Sequence, residues 1–310
     1  MTPEEIATLK REHYNAQVVY LRKKNPDLMV LRVKTDFPRP IHKPGQYSTL
    51  GLGFWEPRHP GCQPETLNDT EESQLARRAY SLSCSILDEE GKLLDLERTD
   101  WLEFYIVLVR ESDREKPPAL TPRLFMLREG DRLAVGRKIT GHFTADPIKP
   151  DDAVVFLSTG TGEAPHNYLT WQLLRQGHRG KILSACCVRF KRDLGYLEIQ
   201  DKLRKQFPNY TYLSLTTREQ DTIGHKVYIQ DLISSGQLAQ QLGAPLDPAK
   251  THVYLCGNPK MIGVPIRDRE TGARTFPEPL GVVEILNGLG FQPDDPANKI
   301  KGNIHVEEYW

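Results

Sequence analysis

Residues 154–165 read VVFLSTGTGEAP, a short apolar run that ends in Ser158-Thr159-Gly160-Thr161-Gly162-Glu163-Ala164-Pro165. Its reading decides the fold. In a doubly wound sheet the C-terminal edge of such a strand is where ligands bind, and glycines there let the backbone approach a phosphate at the N-terminus of the following helix. Pro165 suits the opening of that helix. Taken alone, the same residues also describe an ordinary tight turn from strand to helix.

Working outward toward the C-terminus, ILSACCV (182–188), YTYLSL (210–215) and HVYLC (252–256) are further short apolar runs. Between them APHNYLTWQLLRQG (164–177) and YLEIQDKLRKQF (196–207) have helical pattern and length. That alternation predicts parallel βαβ units with right-handed crossovers. Toward the N-terminus the rhythm differs. AQVVYLR (16–22) and DLMVLRVK (27–34) alternate apolar and polar, NPD, FPRP and KPGQ punctuate residues 25–46, and AYSLSCSIL (79–87) and WLEFYIVLVR (101–110) follow. These predict an antiparallel β-barrel over residues 1–148, with an exposed inserted loop at about 52–74 rich in Pro, Gly and acids. A parallel α/β domain is expected over 149–310, the boundary falling in DPIKPD at 146–151.

Composition limits the partners. The 310 residues suit two domains at roughly 150 each. Lys plus Arg and Asp plus Glu both number 41, so nucleic acid is not expected as a partner. There is no apolar run near the roughly 18 residues a membrane span needs, and the MTPEEIATLK start lacks a secretory pattern. A cytoplasmic protein is expected. Five cysteines without a CxxC pair read as reduced thiols and exclude the usual cysteine-held iron–sulfur clusters. The nine His show neither metal-ligand nor Ser-His-Asp spacing.

Four further stretches carry chemistry. In Arg78-Ala79-Tyr80-Ser81, an arginine can pair a phosphate, a ring can lie on a flat heterocycle and a hydroxyl can reach a ring nitrogen. Residues 136–144, GRKITGHFT, form a Gly-bounded basic turn. In CGNPKM (256–261), Cys256 is small and soft, and the turn after it leaves room for a planar ring. The chain ends in Glu307-Glu308-Tyr309-Trp310, two aromatics that gain from burial only if something covers them.

The order of these motifs closely resembles the ferredoxin–NADP reductase family in its bacterial ferredoxin or flavodoxin reductase branch, from about residue 16 to the end. The resemblance implies a six-stranded antiparallel barrel that holds FAD, followed by a Rossmann-like five-stranded parallel domain that holds NADP(H). It implies that Tyr80 packs on the isoalloxazine ring, Ser81 approaches N5 and Arg78 holds the FAD pyrophosphate. The run 138–144, with Lys138, Thr140, Gly141 and Thr144, corresponds to a second pyrophosphate-binding segment. Gly160, Thr161 and Gly162 would contact the NADP(H) pyrophosphate and nicotinamide. Cys256 and Glu307 resemble the pair lining the nicotinamide side of the flavin, Tyr309 the aromatic that covers its other face, and Trp310 a terminal tryptophan packing near the adenine. Arg218, Lys226 and Tyr228 resemble the groups that take the 2′-phosphate and adenine. Ser81, Cys256, Glu307 and Tyr309 are thus the expected catalytic set, and ferredoxin or flavodoxin the expected partner.

Two positions depart from that pattern: Glu163 and His166 stand where relatives carry an apolar residue and a Phe. The stretches 52–74 and 263–279 have no counterpart. A NADPH-dependent flavin reductase or an oxygenase reductase component is the competing enzyme reading. A flavin-binding regulatory protein without turnover is the competing non-enzyme reading.

Overall fold

The computed structural model describes residues 1–113, 116–268, 271, 273–295 and 300–309. The chain divides into two compact units, Met1–Cys84 with Asp95–His142, and Ser85–Leu94 with Phe143–Trp310. This is not the single cut near residue 148 read from the sequence. The segment Ser85–Leu94 joins the second unit because its carbonyls find donors there: the Trp171 indole N–H donates to the Leu94 carbonyl at 2.9 Å, and the Gln206 amide to that of Gly91 at 3.0 Å.

The first unit opens with a helix the sequence reading did not include, α1 (Pro3–His13). Thr2 Oγ1 accepts from the Glu5 N–H at 3.2 Å while the Glu5 carboxylate accepts from the Thr2 N–H at 2.7 Å, a reciprocal cap that fixes the helix start. Then come β1 (Ala16–Asn25), β2 (Leu28–Thr35), β3 (Tyr47–Gly53), β4 (Leu75–Ser83), β5 (Trp101–Val107), the short α2 (Thr121–Leu124) and β6 (Arg132–Val135). The strands close into an antiparallel six-stranded barrel in the order β1-β2-β5-β4-β3-β6. Leu31, Val33, Leu50, Leu52, Leu82, Phe104 and Leu133 are buried in it. β4 stops at Ser83 instead of running on to Leu87, since Ile86 has φ 60°, a left-handed backbone that no extended strand can continue through.

The inserted segment is less exposed than its composition predicts. Leu52 and Gly53 pair with Ala76 and Leu75 inside the β3–β4 ladder. Beyond them the segment is pinned to the buried Arg123, whose guanidinium donates to the carbonyls of Phe54 and Ala119 and to Glu65 Oε2 at 2.6 Å. Arg58 pairs with the other Glu65 oxygen at 2.9 Å. A buried guanidinium without such partners would be strongly destabilising, so the segment and α2 hold each other in place.

The second unit runs β7 (Ala153–Thr159), α3 (Glu163–Arg175), β8 (Ile182–Val188), α4 (Leu197–Gln206), β9 (Tyr210–Thr216), α5 (Ile229–Ser234), α6 (Gln237–Leu242), β10 (Thr251–Gly257) and α7 (Pro259–Ile262). A two-stranded ribbon, β11 (Ile266–Arg267) with β12 (Arg274–Thr275), occupies the Pro-rich stretch, and α8 (Val282–Gly288) and β13 (Ile304–Glu308) finish the chain. The sheet is parallel in the order β13-β10-β7-β8-β9. Its strands are covered on both sides, which is why they read as unbroken apolar runs. On one side Val155, Leu157, Leu183, Ala185, Val253 and Leu255 join the core that includes Ile229, Leu232, Leu238, Val282 and Leu286 of α5, α6 and α8. No helix among the described residues is long and apolar enough to cross a membrane.

Candidate functional site

In the barrel unit, the two segments expected to meet a dinucleotide lie on either side of β3. Tyr47 pairs with Ser81 on one side and, through an isolated bridge, with Thr140 on the other. The Tyr47 N–H donates to the Thr140 carbonyl at 2.8 Å, and the Tyr47 carbonyl accepts from the Thr140 N–H at 3.1 Å. Gly141 follows at φ 125°, where a Cβ would also press on the Tyr47 ring at 3.2 Å. The Gln46 amide fixes the Gly141 carbonyl at 3.1 Å. Ser81 is buried, Tyr80 is half-buried, and burial raises the Tyr80 phenol above its ordinary value. Arg78 and Lys138 are exposed; among the described residues the Arg78 guanidinium bonds the Arg77 carbonyl at 2.9 Å and no carboxylate. An exposed cation without a carboxylate partner, a ring and a hydroxyl on one strand fit a flat anionic ligand. Tyr47 and Gln46 are the residues the sequence reading missed here. Only the turn at KPGQ signalled them. Thr144 falls beyond the barrel unit, and its carbonyl accepts from the Tyr254 hydroxyl at 2.9 Å.

In the second unit the 3₁₀ turn Gly160–Gly162 lies at the C-terminal edge of the sheet, between β7 and α3. A Cβ on Gly162 would sit 2.2 Å from the Cys256 carbonyl oxygen, so only glycine lets the turn lie this close to β10. Gly160 has φ 53° with nothing within 4 Å of a built Cβ; its side of the turn is open. Gly257, at φ 125°, closes against Thr159, whose Oγ1 accepts from the Asn258 N–H at 2.8 Å. The turn is therefore locked from behind and open in front, as a pyrophosphate cradle at a helix N-terminus requires.

Cys256, Glu307 and Tyr309 do come together. Cys256 and Glu307 are register partners across β10 and β13, and the Tyr309 N–H donates to the Gly257 carbonyl at 3.0 Å. Burial pushes the Cys256 thiol well up, opposed by a hydrogen bond with the Tyr309 side chain; burial also raises the Glu307 carboxyl. Trp310 lies outside the described residues.

Arg218, Lys226 and Tyr228 belong to the loop between β9 and α5, and all three are exposed. The Arg218 N–H donates to the Arg189 carbonyl at 2.8 Å and the Lys191 N–H to Glu219 at 2.6 Å. These bonds stitch the loop to the turn after β8. That turn, Val188-Arg189-Phe190-Lys191-Arg192, brings three more basic residues beside Arg218. Its charge run was visible in the sequence, but its neighbour across the sheet was not.

A closed antiparallel barrel is followed by a parallel sheet with a glycine turn at the C-terminal end of its central strand. Residues 156–264 match the family model for the oxidoreductase NAD-binding domain. The chain is 31% identical over 163 residues to the flavodoxin/ferredoxin–NADP reductase of Shigella flexneri, which covers 52% of this chain and 63% of that protein. It is 29% identical over 194 residues to the ferredoxin–NADP reductase of Pseudomonas aeruginosa, covering 60% and 68%. The match thus spans just under two thirds of the Shigella protein's length. In structure it is similar to a ferredoxin NADP⁺ reductase from Neisseria gonorrhoeae with bound FAD and NADP, with TM-score 0.67, 20% identity and coverage of 95% of this chain and 98% of that one. Over about half of its length the chain is thus similar to bacterial ferredoxin–NADP reductases, and its fold is that of the Neisseria protein.

Proposed function

We propose that the chain is an NADP(H)-dependent reductase that exchanges electrons with ferredoxin or flavodoxin, carrying FAD on its barrel unit and NADP(H) on its parallel-sheet unit. The observation that carries this reading is the glycine turn pressed onto the Cys256 carbonyl, at the strand pair that brings Cys256, Glu307 and Tyr309 together. When bound, FAD would supply the chemistry that links two-electron exchange with the nicotinamide to one-electron exchange with the carrier. The work of the chain is binding and orientation. Arg78, Lys138, Thr140 and Gly141 would hold the FAD phosphates, with Thr144 at the end of the same run, while Tyr80 and Ser81 would set the ring. The Gly160–Gly162 turn with Thr161 would seat the nicotinamide nucleotide's pyrophosphate, and Arg218, Lys226 and Tyr228 its 2′-phosphate and adenine. Cys256, Glu307 and Tyr309 would line the reacting ring, with the thiol buried and the carboxyl half-buried beside it.

Protein purified without denaturant should be yellow, release FAD on unfolding, bleach with NADPH and then reduce ferredoxin or flavodoxin faster than free flavin. A colourless protein that FAD does not reconstitute would overturn the proposal. Charge-assisted bonds to a 2′-phosphate contribute roughly 1.5–3 kcal/mol each. Arg218→Ala and Lys226→Ala should therefore each lower the NADPH to NADH ratio of kcat/KM by about tenfold or more; an unchanged ratio removes both residues from that role.

A further inference from the structure

The residue that follows the glycine turn is an acid, and it is fully buried. Glu163 opens α3, and its carboxyl has no solvent exposure. One oxygen, Oε1, accepts from the Tyr212 hydroxyl at 2.9 Å and from Gln200 Nε2 at 3.1 Å. The other, Oε2, is buried without a partner among the described residues. Gln200 also donates to Asn167 Oδ1 and accepts from the Tyr210 hydroxyl, so the surrounding network is built of neutral groups.

The titratable groups that interact with Glu163 are the Tyr212 and Tyr210 phenols of β9 and the Cys186 thiol of β8, and the His166 imidazole follows one turn along α3. Burial raises both phenols and the thiol and lowers His166 to about 3. Arg204 of α4 acts on Tyr210, and no cation pairs with Glu163 itself among the described residues. The carboxyl is correspondingly pushed up to about 7, burial first, with the Tyr212 and Gln200 bonds opposing.

A carboxylate at this place competes with any anion at the turn. The N-terminus of α3 offers roughly half a positive charge, and a negative Glu163 at its first position would cancel most of it from behind. A pyrophosphate in front would meet that same negative charge through a buried, poorly screened interior that holds no cation paired with Glu163 among the described residues.

Resting on the nucleotide reading above, we infer that Glu163 is a positioning residue that must carry a proton for the glycine turn to bind a pyrophosphate, so that nucleotide binding and proton uptake are coupled. By linkage, whatever factor protonation adds to nucleotide affinity, the nucleotide adds to proton affinity. Affinity is highest when Glu163 is neutral and falls as pH rises through neutrality.

The test uses the purified holoprotein and calorimetry with ADP-ribose, whose pyrophosphate does not titrate in this range and which lacks a 2′-phosphate. Titrations at pH 6, 7 and 8, each in two buffers of different ionisation enthalpy, give affinity and protons taken up. Wild type should absorb part of a proton near pH 7 and bind about five- to tenfold more tightly at pH 6 than at pH 8. Glu163→Gln should bind with no proton uptake and with equal affinity at both values. Tyr212→Phe, which removes a bond that favours the charged form, should move the fall in affinity to higher pH. Adenosine 2′-phosphate, which has no pyrophosphate, should show the same pH response in wild type and Glu163→Gln. ADP-ribose binding without proton uptake, or with the same uptake in Glu163→Gln, overturns this inference alone; failure of both ligands to bind at any of these pH values overturns the nucleotide reading and this inference with it.

Discussion

His166 and Glu163, one turn apart on α3, should answer acid in opposite senses. Glu163 titrates near 7 in place of 4.5, so its contribution to stability is complete below 4.5 and is lost as pH rises through 7. His166 is held to about 3 in place of 6.5 by burial, so its contribution is complete above 6.5 and is lost as pH falls toward 3. Each slope is about 1.4 kcal/mol per pH unit, and between roughly pH 5 and 6.5 they cancel. His166 sits against Phe143 and Phe156 at ring distances of 5.8 and 5.1 Å, with both ring nitrogens buried and unbonded among the described residues. His166→Phe removes two unsatisfied polar atoms and one of the slopes. It should stabilise the protein by about 1–3 kcal/mol at pH 7.5 and by about 2 kcal/mol more at pH 5. Thermal unfolding at the two values checks this, and an equal gain at both would mean that His166 is not kept neutral. The oddity of these two residues was legible in GTGEAPH. The ring cage and the Tyr212–Gln200 network were not, because their members come from Phe143 ahead of β7 and from β7, β9 and α4.

At the scale of elements, the glycine turn is shaped by β10 as much as by its own sequence. Gly162→Ala would force a methyl against backbone that cannot swing away, whereas Gly160→Ala meets open space and only a strained left-handed φ. Gly162→Ala should therefore lower stability by about 1–3 kcal/mol and nucleotide affinity by tenfold or more. Gly160→Ala should cost about 1–2 kcal/mol with a smaller loss of affinity. If the two variants bind nucleotide alike, contact with Cys256 does not set the turn. The parallel strands could be read from sequence because burial on two sides makes them continuously apolar. β13 could not: Ile304-His305-Val306-Glu307-Glu308 is an edge strand with two acids. Its His305 ring bonds Asp294 at 2.7 Å and faces His252 at 3.1 Å, partners no local pattern announces. α1 was missed for the opposite reason, since the Thr2 to Glu5 spacing was visible but the helix has no buried residue to give it an apolar stripe.

For the whole molecule the charge sum is zero, so attraction of the proposed electron carrier, if it is acidic, depends on where the cations lie. Residues 10–50 hold nine Lys or Arg against three acids. Three of the nine, Lys10, Arg32 and Lys34, are paired with Glu56, Glu103 and Asp100. Arg22, Lys23 and Lys43 remain exposed on the barrel unit. Reduction of ferredoxin or flavodoxin should then slow by about tenfold in kcat/KM as salt rises from low to 0.5 M, since exposed charges are screened beyond roughly 10 Å at 0.1 M. Arg22→Glu with Lys43→Glu should flatten that dependence. A rate indifferent to salt in wild type would place docking elsewhere. The barrel itself was legible because its strands alternate. The second allegiance of residues 85–94 was not, since it depends on donors supplied by α3 and α4.

That allegiance sets an order of events for a chain emerging from a ribosome. The last barrel strand ends at Val135, yet the segment Ser85–Leu94 waits for a tryptophan made 77 residues after Leu94 and a glutamine made 115 residues after Gly91. The barrel can therefore finish its sheet while still carrying a loop that belongs to a body not yet synthesised. A clone begun at residue 143 to isolate the parallel-sheet half lacks that loop, leaving the Trp171 indole N–H without the carbonyl it bonds.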